Sequence, residues 1–206
     1  MSSPLIVALD TDYRSAINLA KQLDPKDCRL KIGSALFTSH GPKIIEKLIR
    51  LDFEIFLDLK FHDIPNSVEN SIKSALDLGI WMVNIHASGG SEMLRAASST
   101  LSNKKKKPIL IGVTLLTSLE ESSLKEIGIE QGLDEHVLNL AKLCKINGLD
   151  GVVCSPRELK MLRKGMGKDF ILVSPGIRSS FSDMQDQKRT ASITEALVNG
   201  ADYLVI

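Results

Sequence analysis

The chain has 206 residues, of which 43% are hydrophobic and 25% charged, the size and balance of one globular domain with a substantial core; collagen-like, disordered and membrane-spanning classes are excluded. Twenty-six basic against twenty-five acidic side chains leave a formal charge of +1, so no global field recruits nucleic acid or an anionic membrane. Residues 1–10 carry no basic region ahead of their apolar stretch, so no secretion signal is expected and a cytoplasmic location is. Cys28, Cys144 and Cys154 contain no C-x-x-C pair and encode neither a disulfide framework nor a zinc site.

Along the chain, short apolar runs of strand length occur at residues 5–9, 30–32, 55–59, 81–85, 109–116, 151–154, 170–173 and 203–206. Most are rich in Val, Ile and Leu without polar alternation, as strands buried on both faces are. Helical spacing fills the intervals: Ala16, Leu19, Ala20 and Leu23; Val68, Ile72, Ala75 and Leu76; Val137, Leu140, Ala141 and Cys144; Ile193, Ala196 and Leu197. Ser155-Pro156-Arg157-Glu158 and Ser192-Ile193-Thr194-Glu195 read as helix-starting boxes. Gly79, Gly148 and Gly200 precede strands as helix exits. The lysines at 104–107, next to Pro108, read as a solvated loop.

Eight strand-helix units in 206 residues average about 26 residues each, near the minimum for a parallel crossover. The expected fold is a (β/α)8 TIM barrel in a single domain, 1–206. A doubly wound open sheet is the alternative, but no G-x-G-x-x-G or Walker sequence follows an early strand. The sequence stops at Ile206, at the end of the eighth strand, so the barrel is expected to lack its final helix and a C-terminal piece is expected to lie beyond.

In such a barrel the chemistry sits at the C-terminal ends of the strands. Asp10 ends the first. Lys31, between Leu30 and Ile32, points inward by the period of two. Asp58 and Lys60 share a face of the third strand, with Leu57 and Leu59 on the other. Asp63 follows in the loop, and Pro65 discourages continuation of the strand. A D-x-K-x-x-D string alone fits a salt-bridged strand end as well as a catalytic cluster. His40, His62, His86 and His136 lie on different elements without an i, i+4 pair, so no metal site is expected. Trp81, Met161 and Met166 read as packing residues.

The block Asp58-Leu59-Lys60-Phe61-His62-Asp63-Ile64-Pro65-Asn66-Ser67 resembles the signature of the orotidine 5′-phosphate decarboxylase family, in its bacterial-type branch. Val7-Ala8-Leu9-Asp10, Leu30-Lys31-Ile32-Gly33, His86-Ala87-Ser88-Gly89-Gly90, Val113-Thr114-Leu115-Leu116-Thr117-Ser118 and Pro175-Gly176-Ile177-Arg178 resemble that family in the same order. The resemblance implies cofactor-free decarboxylation of orotidine 5′-phosphate to UMP, the last step of de novo pyrimidine nucleotide synthesis. It implies a catalytic set of Lys60, Asp58, Asp63 and Lys31, with Asp63 reaching the partner site of a homodimer.

For the substrate it implies contacts from Asp10, Lys31 and the whole block Asp58, Leu59, Lys60, Phe61, His62, Asp63, Ile64, Pro65, Asn66 and Ser67, and from Thr117 on the loop after the fifth strand. It puts the phosphate on Gly176, Arg178 and Gln187, and on a glycine and an arginine after the eighth strand, which lie past Ile206. Two other readings stand beside it. One is a magnesium-dependent sugar-phosphate enzyme of the same superfamily, which shares D-x-K-x-x-D; the other is a non-catalytic nucleotide-phosphate-binding barrel.

Overall fold

The structure is a computed structural model that describes residues 3–102, 104–177 and 192–206. Eight parallel strands pair in chain order: β1 (Leu5–Ala8), β2 (Arg29–Gly33), β3 (Ile55–Phe61), β4 (Met82–His86), β5 (Ile109–Val113), β6 (Gly151–Val153), β7 (Ile171–Ser174) and β8 (Tyr203–Val205). β8 returns to β1, with Leu5 opposite Leu204 and Ile6 opposite Val205, and the sheet closes into the expected TIM barrel. Every apolar run became a strand. The largest difference in length is at β5, which stops at Val113. Thr114 gives its hydroxyl to the Val153 carbonyl at 3.0 Å, while its backbone N–H reaches the same oxygen only at 3.4 Å. A side-chain donor competing for a ladder acceptor ends the regular pairing and hands the chain to the loop that carries Thr117.

The outer layer consists of α1 (Tyr13–Ala20), α2 (Ser34–His40), α3 (Pro42–Ile49), α4 (Pro65–Asp77), α5 (Gly90–Ser102), α6 (Glu121–Glu126), α7 (Leu133–Ile146), α8 (Leu159–Met166) and α9 (Ile193–Val198). Two helices rather than one separate β2 from β3, and two separate β5 from β6. Val68, Ile72 and Ala75 of α4, and Val137, Leu140, Ala141 and Cys144 of α7, are the buried positions of those helices, three and four apart as a helix lying on a sheet requires. The box at Ser155 forms in full: Glu158 Oε2 accepts the Ser155 N–H at 2.8 Å and Ser155 Oγ accepts from the Arg157 N–H at 3.3 Å. The glycine exits at Gly79, Gly148 and Gly200 all have positive φ. On α9 Ala196 is buried and Ile193 packs half-buried against the core, while Leu197 is 40% exposed; the stripe read there is narrower than its spacing implies.

Apolar residues divide between two shells. Leu30, Ile32, Leu57, Val83, Leu110, Val152 and Leu172 point outward and pack with the helices. Ile6, Phe56, Met82, Ile111, Val173 and Val205 fill the barrel itself. Burial of each such side chain contributes roughly 1.5–3 kcal/mol. On β1 the outward Leu5 and Val7 are only half-buried, at the seam where β1 pairs with β8.

The barrel floor is closed by a residue without a signal in the sequence. Arg29 lies with its guanidinium 4.2 Å from the Trp81 ring centroid and 5.2 Å from that of Tyr203. It also pairs with Glu54 at 2.8 Å and donates to the Ser3 carbonyl at 2.6 Å. A cation stacked on two rings with its N–H groups satisfied is a tolerable buried charge. All three cysteines are buried and free, and burial pushes the Cys144 thiol up to about 12, as packed rather than reactive thiols require. Among the described residues no helix is long and apolar enough to cross a membrane.

Candidate active site

With the floor plugged and the middle filled by apolar side chains, the barrel can be open only at the C-terminal ends of its strands. There a cavity of about 500 Å³ is lined by Asp10, Lys31, Asp58, Lys60, Thr117 and Gly176, over a base that includes Ala8, Phe56, Val153 and Val205. The apolar base matters to the charges above it. Coulomb attraction grows as water is replaced by hydrocarbon, and an unpaired ion there would carry a desolvation cost of several kcal/mol.

The ions are paired in a chain. Lys31 Nζ lies 3.0 Å from Asp10 Oδ1 and 3.3 Å from Asp58 Oδ2. Asp58 Oδ1 lies 2.7 Å from Lys60 Nζ and accepts a hydrogen bond from Asn84 Nδ2, also at 2.7 Å. The order is thus Asp10, Lys31, Asp58, Lys60, with signs alternating. The side chains of Lys31 and Asp58 are 9% and 11% exposed, those of Lys60 and Asp10 36% and 66%. The inner pair is a buried scaffold. Of the two lysines that line the cavity among the described residues, Lys60 is the more exposed.

The period of two places Asp58 and Lys60 on one face, and both do line the cavity, but the local backbone is not a regular strand. Leu57 lies opposite Val83 and Phe61 opposite Ile85, so four steps along β3 span two along β4. Within this bulge Lys60 has φ 52°, a left-handed conformation that costs a non-glycine residue roughly 1–2 kcal/mol. Bulges gather where a side chain has to be re-aimed, and strain of this kind persists only where its surroundings over-determine it. Here the Lys60 N–H donates to Asn84 Oδ1 at 2.8 Å.

Not every residue of the expected site meets the cavity. Leu59 and Phe61 pack outward against the helical shell. His62 faces His86, ring centroids 5.3 Å apart. Asp63 is exposed, and its Oδ1 takes the Ile64 N–H at 2.6 Å. Ile64 is 67% exposed, and Pro65, Asn66 and Ser67 form the first turn of α4. Gly176, at φ 77°, brings bare backbone to the rim. Arg178 and Gln187 lie outside the described residues. The sequence reading missed Asn84, whose signal was available: a single amide inside the apolar run at 81–85.

His86 ends β4 beside this cluster. Burial, then the His62 ring and the Lys60 ammonium, hold its imidazole below the ordinary histidine range, with Asp58 pulling the other way. A histidine depressed in the folded state takes up its proton earlier in the unfolded chain. Its contribution to stability is therefore complete above the unfolded value of ~6.5 and is lost as pH falls toward the folded one. His86→Gln is expected to lose less of its urea midpoint than the parent between about pH 7 and about pH 5.5. Equal losses in both proteins would rule this out.

Comparison with known proteins identifies the family and the fold. The sequence model described as "Orotidine 5'-phosphate decarboxylase / HUMPS family" matches residues 3–206. A curated orotidine 5′-phosphate decarboxylase of Marinomonas sp. is 52% identical over 99% of this chain and 88% of its own length. That of Chromobacterium violaceum is 52% identical over 100% and 83%. Among solved structures, orotidine 5′-phosphate decarboxylase from Lactobacillus acidophilus superposes with a TM-score of 0.87 at 38% identity, covering 99% of this chain and 89% of that one. With a matching family model over nearly the whole length and relatives at half identity, the chain belongs to the orotidine 5′-phosphate decarboxylase / HUMPS family.

Proposed function

We propose that this chain decarboxylates orotidine 5′-phosphate to UMP and CO2, the last step of de novo pyrimidine nucleotide synthesis. The observation that carries the reading is Lys60, a half-open ammonium 2.7 Å from a buried carboxylate at the mouth of the barrel. Cleavage of the bond between the pyrimidine ring and its carboxylate releases CO2 and leaves an electron pair on the ring carbon. The Lys60 ammonium stabilises that charge at short range and then gives the carbon a proton, to be reprotonated from water. Lys31 holds Asp58 from its other oxygen. Asp58, close to the departing carboxylate, adds like-charge repulsion that is relieved as CO2 leaves.

Asp10 and Lys31 are assigned to the ribose hydroxyls and the ring, and Thr117, which also lines the cavity, to the nucleotide. Gly176 is assigned to the phosphate together with Arg178 and Gln187, and an arginine fork would give two charge-assisted hydrogen bonds. The remaining signature residues, Leu59, Phe61, His62, Ile64, Pro65, Asn66 and Ser67, belong to the block that the family resemblance assigns to the substrate, although Leu59 and Phe61 pack against the helices rather than the cavity. The active unit is a cytoplasmic homodimer in which Asp63 serves the neighbouring site. No cofactor is assigned, because the ammonium supplies the stabilisation that a metal or an electron-sink cofactor would otherwise provide.

The family named by the match has two branches, and one assay separates them. Orotidine 5′-phosphate mixed with the protein is expected to show the absorbance change of decarboxylation at the same rate with and without a chelator. Loss of turnover with the chelator would favour the magnesium-dependent sugar-phosphate reading. Binding without turnover would leave a nucleotide-phosphate-binding barrel.

A further inference from the structure

We propose that Asn84 is a positioning residue for Lys60, locking the carboxylate of Asp58 and the backbone of Lys60 into one unit; this rests on the decarboxylase reading above. Asn84 is fully buried on β4, and among the described residues it is not part of the cavity lining. It therefore acts through its neighbours.

Its amide is used at both ends. The Nδ2 group donates to Asp58 Oδ1 at 2.7 Å, and Oδ1 accepts the Lys60 N–H at 2.8 Å. Asn84 stands across the point where β3 carries its bulge, and its side-chain carbonyl takes the place of the missing ladder acceptor. The two bonds have separate effects. One orients the Asp58 carboxylate so that the same oxygen meets the Lys60 ammonium at 2.7 Å. The other holds the left-handed backbone from which the Lys60 side chain enters the cavity. An aspartate at 84 would offer two acceptors and no donor when ionised, and a leucine neither. The charged and titratable groups around this position are Lys31 on β2, Asp58 and Lys60 on β3, and His86 at the end of β4; β5 presents Ile111 opposite Asn84.

Asn84→Leu and Asn84→Asp in the otherwise unchanged chain test this by kcat and KM for orotidine 5′-phosphate over pH. Asn84→Leu removes both bonds at similar volume. Its kcat is expected to fall about 10²-fold, the cost of misplacing a reacting group by about an ångström, with KM within about threefold of the parent. Asn84→Asp keeps the acceptor for Lys60 but can donate to Asp58 only when protonated. Its kcat, as a ratio to the parent's at each pH, is expected to rise as pH falls, a new ionisation that loss of stability alone does not create. A ratio that stays constant with pH, or an Asn84→Leu enzyme turning over within threefold of the parent, overturns the proposal. Should Asn84→Leu not fold, the Asn84→Asp profile decides. A parent without turnover defeats the decarboxylase reading rather than this one. The geometry is then read in a crystal structure of Asn84→Asp at a pH where the new carboxyl is ionised: separation of Lys60 from Asp58 supports the positioning role, and an intact pair overturns it.

Discussion

Lys60→Ala is expected to lower the rate of decarboxylation by about 10⁴-fold or more while leaving UMP binding within about tenfold of the parent's. The substitution removes two functions at once. The nearest positive charge to the reacting carbon disappears, a loss of about 10²–10³ for a single preorganised group. The proton donor disappears with it, a further 10²–10⁴ for general acid catalysis. The fold should be indifferent. Asp58 keeps Lys31 at 3.3 Å and Asn84 at 2.7 Å, so its buried carboxylate is not orphaned, and the Lys60 N–H to Asn84 bond is a backbone bond that alanine retains. Binding should survive because Asp10, Thr117 and Gly176 line other parts of the cavity. Steady-state turnover together with UMP titration checks both halves. Near-normal turnover in the variant would remove Lys60 from the mechanism.

This prediction draws on what could be read from residues alone and on what could not. The strand-helix alternation was legible because buried parallel strands are continuous apolar runs, and nothing else in the sequence competes with that pattern. The ion cluster was legible only in part: Lys31 and Asp58 inside such runs, with Lys60 just past one, are charges that need partners when buried, but the spacing fits a salt-bridged strand end equally well, and the choice came from the family resemblance. Two features were not. Period-two counting gave the right face for Lys60 by a route that ignores its backbone, since the alternation assumes regular pairing and β3 bulges at this point. Asn84 was passed over because an asparagine carries no formal charge, and its importance comes from two partners on a strand distant in sequence. Arg29 was missed in the same way: its ring partners Trp81 and Tyr203 are brought to it only by closure of the barrel.

Equal amounts of the Lys60→Ala and Asp63→Asn chains, unfolded and refolded together, are expected to recover about a quarter of the parent's activity per site, although each variant alone is nearly inactive. In the single protomer Asp63 is exposed, bonded to the adjacent Ile64 N–H and not among the residues lining its own cavity. Beside it Ile64 exposes 67% of its surface, an apolar side chain suited to burial against a second copy. In a two-fold dimer the same contact is made twice, so an Asp63 that reaches the partner's cavity makes each site from two chains. In a hybrid dimer one site then combines the damaged Lys60 position with the damaged Asp63 position, and the other combines two intact residues. Random pairing makes about half of the dimers hybrids, and half of their sites are native, which gives about a quarter. If Asp63 served its own chain, every site in the mixture would lack one residue or the other, and mixing would restore nothing. The outcome therefore depends on which chain supplies the fifth charge of the cluster, and a loss of folding in either variant would show as failure to refold rather than as silent sites.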